Sequence, residues 1–183
     1  MRIENIVDGF IKNEIIERED KEIYMYGLKY GLLMILNIIS IFIIGLLFNL
    51  VLESIIFIIF YMPLRSYAGG YHADTIGSCY IFSLALTIIV MISVKHIPQV
   101  NYTILFLTIV SAVLIFLLAP VESINKPLSK EEVKKYKRIT RIICTVEVLI
   151  VVILLLLNIN NIALTISVSL FALALMLIFG KVQ

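Results

Sequence analysis

Charge is scarce in this sequence: only 15% of its 183 residues are Asp, Glu, Lys or Arg, and tryptophan is absent. Two cysteines, Cys79 and Cys144, and two histidines, His72 and His96, are its whole supply of soft metal ligands. A closed structural metal site needs about four ligands; these four are scattered along the chain, so neither a metal nor any other cofactor is expected. A formal net charge of +2 leaves no basic stripe of the kind that fills a nucleic-acid groove, and nucleic acid is excluded as a partner. Residues 1–27 lack the basic start and early apolar stretch of a cleavable signal peptide, carrying instead Glu4, Asp8, Glu14, Glu17, Glu19, Asp20 and Glu22. The first apolar span is therefore expected to be retained as the insertion signal.

What the chain has in place of charge is apolar sequence. Its hydrophobic fraction is 61%, against roughly 45–50% in soluble domains. A bilayer crossing takes about 20 apolar residues, with about 17–25 tolerated. On that measure six spans are expected, near 28–48, 50–64, 78–95, 102–119, 142–157 and 162–179. The expected fold is all-α: a polytopic membrane bundle forming one domain over residues 1–183. The second span is the shortest and is read as a tilted or re-entrant segment, with Asn49 as the break before it.

The orientation follows from loop charge. With six crossings and the N-terminus in the cytoplasm, every one of the 15 Lys and Arg residues except Lys95 falls on the cytoplasmic side, as the positive-inside rule requires. Both termini, and the loop over residues 65–77, are then expected at the cytoplasmic face of the cell membrane. Both cysteines lie at the edges of apolar spans on that reducing side and are read as free thiols. Ile3, Ile6, Val7, Phe10, Ile11 and Ile15 recur at helical spacing, so an amphipathic helix is expected within residues 1–27, lying on the inner leaflet or packed on the protein's own loops. Residues 120–141 form the one long hydrophilic loop, with Ser129 and Glu132 spaced as a capping box that starts a helix.

Chemistry is expected between the second and third spans, in Arg65-Ser-Tyr-Ala-Gly-Gly-Tyr-His72-Ala-Asp74-Thr-Ile-Gly-Ser-Cys79. A thiol beside an imidazole is a potential nucleophile and base. On a continuous helix seven residues span about 10.5 Å, too far for His72 to reach Cys79, so the backbone must bend; Gly69-Gly70 and Gly77 are the permissive points. Cys79 would sit in the first turn of the third span, where free N–H groups and the helix dipole favour a thiolate and a developing oxyanion. Asp74 is a conceivable orienter of the imidazole. The opposing reading is plain: a cysteine at a span edge is commonly a small buried hydrophobe, and Tyr61, Tyr67, Tyr71 and Tyr80 commonly mark headgroup depth.

The run from Pro63 to Ala73, with Cys79 seven beyond the His, closely resembles the signature of the accessory gene regulator B (AgrB) family. The stretch Pro120-Val-Glu-Ser-Ile-Asn-Lys-Pro127-Leu and the Lys/Glu-rich sequence after it resemble that family's cytoplasmic loop. The resemblance implies a membrane cysteine endopeptidase that matures a quorum-sensing peptide, with Cys79 as nucleophile, His72 as base, and Arg65 and Gly70 at positions the family needs. It implies removal of the acidic C-terminal tail of a membrane-associated, AgrD-like precursor through a thioester, followed by thiolactone or lactone closure. Such a tail would be attracted to Lys126, Lys130, Lys134, Lys135, Lys137, Arg138 and Arg141, although a basic loop is also what the positive-inside rule alone produces. A homodimer is kept as a candidate assembly. The competing class is a membrane peptide transporter or non-catalytic membrane-binding protein in which Cys79 is inert. A rhomboid-like serine protease is disfavoured, because no Gly-x-Ser-x-Gly site is present.

Overall fold

A computed structural model of the protein describes residues 3–71, 75–122 and 129–182. Its helices are α1 (Ile3–Lys12), α2 (Lys21–Phe48), α3 (Val51–Ala68), α4 (Ile76–His96), α5 (Asn101–Leu118), α6 (Lys130–Leu156) and α7 (Asn160–Val182). The described residues contain no strand, only an isolated bridge between Gly69 and Val121. The chain is thus an all-α membrane protein: six helices, α2 to α7, are long and apolar enough to cross a bilayer.

The chain divides into two compact units, one ending at Ser40 and the other starting at Ile41. In the first, α1 buries Val7, and Asp8 pairs with Lys21 at 2.6 Å. The helix expected to continue to Ile15 stops at Lys12; the backbone turns through Glu14 at φ 56°. The first span also starts earlier than its apolar sequence suggests, at Lys21, because Lys and Glu are good helix formers and carry the helix past the apolar boundary. Tyr26 and Tyr30, four apart on α2, pack their rings 4.2 Å apart.

The second unit contains the bundle. Asn49 breaks the helix in the left-handed region at φ 57°, and α3 starts two residues later. The second span is longer than expected: α3 runs 18 residues through Pro63 to Ala68, about 27 Å at helical rise. α7 is the hub, packed against α3, α4, α5 and α6 and buried almost continuously from Ala163 to Leu177. Its Ala163, Thr165, Ser167, Ser169, Ala172 and Ala174 are small, which lets neighbouring backbones approach where lipid offers no hydrophobic drive for association. Thr108 on α5 and Ser167 on α7 share a buried hydrogen bond of 2.7 Å.

Two contacts set the directions of these helices. Near the starts of α3 and α7, Asn161 Nδ2 donates to Glu53 Oε1 at 2.6 Å. Near their ends, the Tyr71 N–H donates to the Met176 carbonyl at 3.0 Å. The two helices therefore run parallel, with α4 and α6 antiparallel to them. The Glu53 end is closed by amides: Asn160 Nδ2 donates to the Gln99 carbonyl at 2.9 Å and to Asn101 Oδ1 at 3.1 Å. The other end carries the candidate residues.

α6 revises the expected organisation. The basic stretch of the hydrophilic loop and the fifth span form one 27-residue helix, started by the expected capping box: Glu132 N donates to Ser129 Oγ at 3.2 Å, and Ser129 N to Glu132 Oε2 at 2.8 Å. Such a helix is about 40 Å long, longer than the roughly 30 Å hydrocarbon core, so its basic first turns have room to stand outside the bilayer. Cys144 and Glu147 lie buried on α6, and both cysteines are free.

Candidate functional site

The site grows from the way α3 ends. Gly69 caps the helix at φ 73°, and Gly70 follows at φ 117°, two conformations that L side chains rarely adopt. Space excludes a side chain at Gly69 and leaves a tight fit for one at Gly70. A Cβ on Gly69 would strike the Val121 carbonyl, and one on Gly70 would lie 3.0 Å from the Met176 carbonyl and 3.1 Å from the Arg65 guanidinium. The strap Gly69-Gly70-Tyr71 is therefore threaded between the start of the 120s loop on one side and the end of α7 on the other. Val121 N donates to the Ala68 carbonyl at 2.9 Å, and the bridge between Gly69 and Val121 continues that pairing.

Arg65 secures the strap from inside the curve. Its Nη1 donates to the Gly69 carbonyl and its Nη2 to the Tyr71 carbonyl, the second being the carbonyl of the peptide unit that leads into His72. A guanidinium presents two parallel donors in a rigid fork and a lysine does not. Tyr61 lies one turn before Arg65 on the same helix. Tyr61 is itself held by stacking on Phe57 at 4.8 Å.

On the far side of the loop, α4 starts at a capping box. Ser78 N donates to Thr75 Oγ1 at 3.1 Å, and Thr75 N donates to Ser78 Oγ at 3.2 Å. Gly77 belongs to the first turn of this helix, so the expectation that it bends the backbone is corrected; among the described residues of this connection, the positive-φ turning points are Gly69 and Gly70. The Cys79 N–H closes the first helical bond, onto the Thr75 carbonyl at 2.9 Å. The N–H groups of Ile76 and Gly77 precede that bond and have no intrahelical acceptor. Cys79 is half-buried at the positive end of a helix dipole.

Strap and helix meet through an aromatic contact. The Tyr71 ring packs on Phe82 with centroids 4.9 Å apart, and Phe82 lies three residues beyond Cys79, on the same face of α4. The residue before His72 is thus carried to the face of the helix that bears the thiol, although His72 and Cys79 are seven apart in sequence. His72 and Asp74 themselves lie outside the described residues, as does Lys126.

The remaining basic candidates all lie exposed on α6. Lys130, Lys134, Lys137 and Arg141 share one face at i, i+4, i+7 and i+11, flanked by Lys135 and Arg138. None of these six enters a salt bridge among the described residues. Tyr136 on this segment meets Tyr67 of α3 edge-on at 5.7 Å, joining the basic turns to the helix that bears Arg65, and Arg141 stacks over Phe116 of α5 at 5.6 Å. Of the tyrosines read as interface markers, Tyr61, Tyr67 and Tyr71 thus have specific packing partners.

Sequence reasoning missed three contributors to this end of the bundle: Val121, Met176 and Gly180. Each acts through backbone from a distant part of the chain. Only Gly180 had a local signal, a glycine within an otherwise apolar helix. Among the described residues no cluster of His, Cys, Asp and Glu could hold a metal ion.

Residues 3–178 match the family model described as Accessory gene regulator B. The chain is 35% identical over 147 residues to an AgrB-like protein of Clostridium perfringens strain SM101, covering 74% of this chain and 69% of that protein. An AgrB-like protein of C. perfringens strain 13 is 32% identical over the same shares. One of Listeria innocua is 27% identical over 132 residues, covering 70% of this chain and 65% of its own. No solved structure matches the chain.

Proposed function

The chain belongs to the accessory gene regulator B family, and from that premise we propose that it is a membrane cysteine endopeptidase that processes a quorum-sensing peptide precursor at the cytoplasmic face. Membership supports a part in that processing; the reaction is our own reading of the site. The observation that carries it is the Arg65-clamped strap, which brings Tyr71, the neighbour of His72, onto the face of α4 that bears Cys79.

His72 takes the proton of the Cys79 thiol, and the thiolate attacks the carbonyl at the junction between the precursor's ring-forming segment and its acidic tail. The negative charge that develops on that carbonyl oxygen is met by the free N–H groups at the start of α4. His72 then gives its proton to the departing amine, the tail leaves, and the remainder stays on Cys79 as a thioester. Attack by a thiol or hydroxyl within the peptide closes the thiolactone or lactone and frees the enzyme. Asp74 serves as a candidate orienter of His72. Lys126, Lys130, Lys134, Lys135, Lys137, Arg138 and Arg141 attract the acidic tail, and the site's place at the membrane boundary limits competing hydrolysis.

The test is intact-mass analysis of the protein co-expressed with an AgrD-like precursor, wild type beside Cys79→Ala, kept mildly acidic to spare thioesters. A hydroxylamine-sensitive peptide adduct in wild type alone is the expected result, and its mass reports the cleavage point. Unchanged processing by Cys79→Ala would overturn the proposal and favour the transport reading.

A further inference from the structure

The strap is gripped from three sides, and the third grip lies on a helix that sequence motifs do not connect to the site. Tyr71 N donates to the Met176 carbonyl, an oxygen already positioned to accept the i+4 bond of α7 from Gly180. Strap and helix must therefore come backbone to backbone, and Gly180 is the residue that lets them. A Cβ there would lie 2.5 Å from both Gly70 C and Tyr71 N, and 2.8 Å from Gly70 Cα. All three are backbone atoms, so no side chain can rotate away.

The strap is also held on its other sides. Val121 blocks the direction in which Gly69 would carry a Cβ, and the Arg65 fork holds the carbonyls of Gly69 and Tyr71. α7 is in turn the hub that packs on both α3 and α4, so it is the common reference for the strap and for the helix that carries Cys79.

We propose that the last turns of α7, through Gly180 and the Met176 carbonyl, dock the Gly69–Tyr71 strap and so set the approach of His72 to Cys79, making Gly180 a positioning residue for the site. The proposal rests on the Cys79 and His72 reading given above. Restoring an ordinary contact to a Cβ at position 180 needs a shift of roughly 1 Å, a misplacement that costs about 100-fold in rate where groups must align.

The experiment uses the full chain in lipid nanodiscs, as wild type, Gly180→Ala, His72→Ala and, as a control, Gly27→Ala, where a Cβ meets nothing within 4 Å. Two quantities are read: hydrogen exchange of the Tyr71 amide, and the pH profile of Cys79 alkylation by iodoacetamide, followed by peptide mass so that Cys144 is counted separately. The expected result for Gly180→Ala is about tenfold faster Tyr71 exchange and an alkylation profile displaced to that of His72→Ala, with α7 amides between Ala163 and Leu173 still protected. Gly27→Ala keeps both wild-type values. Wild-type exchange and a wild-type profile in Gly180→Ala would overturn the proposal. If His72→Ala itself keeps the wild-type profile, the Cys79 and His72 pairing fails, while Tyr71 exchange still decides the dock. Should Gly180→Ala lose protection throughout α7, the α-hydroxy analogue of tyrosine at position 71, which turns the Gly70–Tyr71 amide into an ester and so deletes the N–H donor while keeping the ring on Phe82 and leaving α7 intact, decides in its place by the same profile.

Discussion

Replacing Arg65 by Lys is the sharpest test of the strap, because it keeps the charge and removes the fork. Arg65 donates separately to the Gly69 and Tyr71 carbonyls, whereas an ammonium on a flexible stem reaches one of them at a time. A hydrogen bond made by a charged group contributes about 1.5–3 kcal/mol. If the active geometry needs both, losing one lowers its population by that amount. At tenfold per 1.36 kcal/mol, the formation of the acyl-enzyme falls about 10- to 150-fold. Global stability should change less, because the strap can open without the core of α7. The assay is single-turnover acylation of Cys79 by a precursor peptide in nanodiscs, with thermal unfolding measured on the same preparation. A variant within about threefold of wild type would refute the claim that the fork holds the site, as would one whose loss of rate follows entirely from loss of folded protein.

Further outcomes follow from neighbouring contacts. Gly70→Ala places a side chain at φ 117° with its Cβ 3.0 Å from the Met176 carbonyl; backbone strain of about 1–3 kcal/mol should cut the same acylation rate by about 5- to 150-fold. Asn161→Leu removes the donor to buried Glu53 and should destabilise the bundle by about 1–3 kcal/mol in thermal or denaturant unfolding, while activity per folded molecule is kept because the pair lies at the opposite end from the strap. Lys134→Gln with Lys137→Gln should raise the KM for an acidic-tailed precursor by a factor of a few, an effect that fades at high salt and leaves the rate at saturation unchanged; an equal effect with a neutral tail would count against tail binding. Ser129→Ala removes the cap of α6 and should cost about 1 kcal/mol, seen as faster amide exchange confined to the first turns of that helix.

Much of the architecture follows from residue order, because membrane insertion is governed by local quantities. Long apolar runs make helices that satisfy their own backbone, Asn49 supplies the left-handed break between α2 and α3, and Ser129 with Glu132 starts α6. The candidate residues Arg65, Gly70, His72 and Cys79 lie within one short stretch of sequence, and Gly69 with Gly70 announces the bend that the structure has there. Element ends were less so: α3 continues through Pro63 to Ala68, and α6 merges a basic stretch with an apolar span, since a helix propagates through polar residues once it is capped.

Tertiary structure decided what surrounds the bend. No local pattern relates Gly180 and Met176 to Gly70, more than 100 positions earlier, because their contact is between backbones that approach only when α7 lies parallel to α3. Likewise Val121 and Arg65, from elsewhere in the fold and from the preceding turn, occupy the space around Gly69 and Gly70, while Thr75 claims Gly77 for the helix. Sequence order fixed the local preferences of each segment; the packing of distant helix ends selected which of those preferences shape the site.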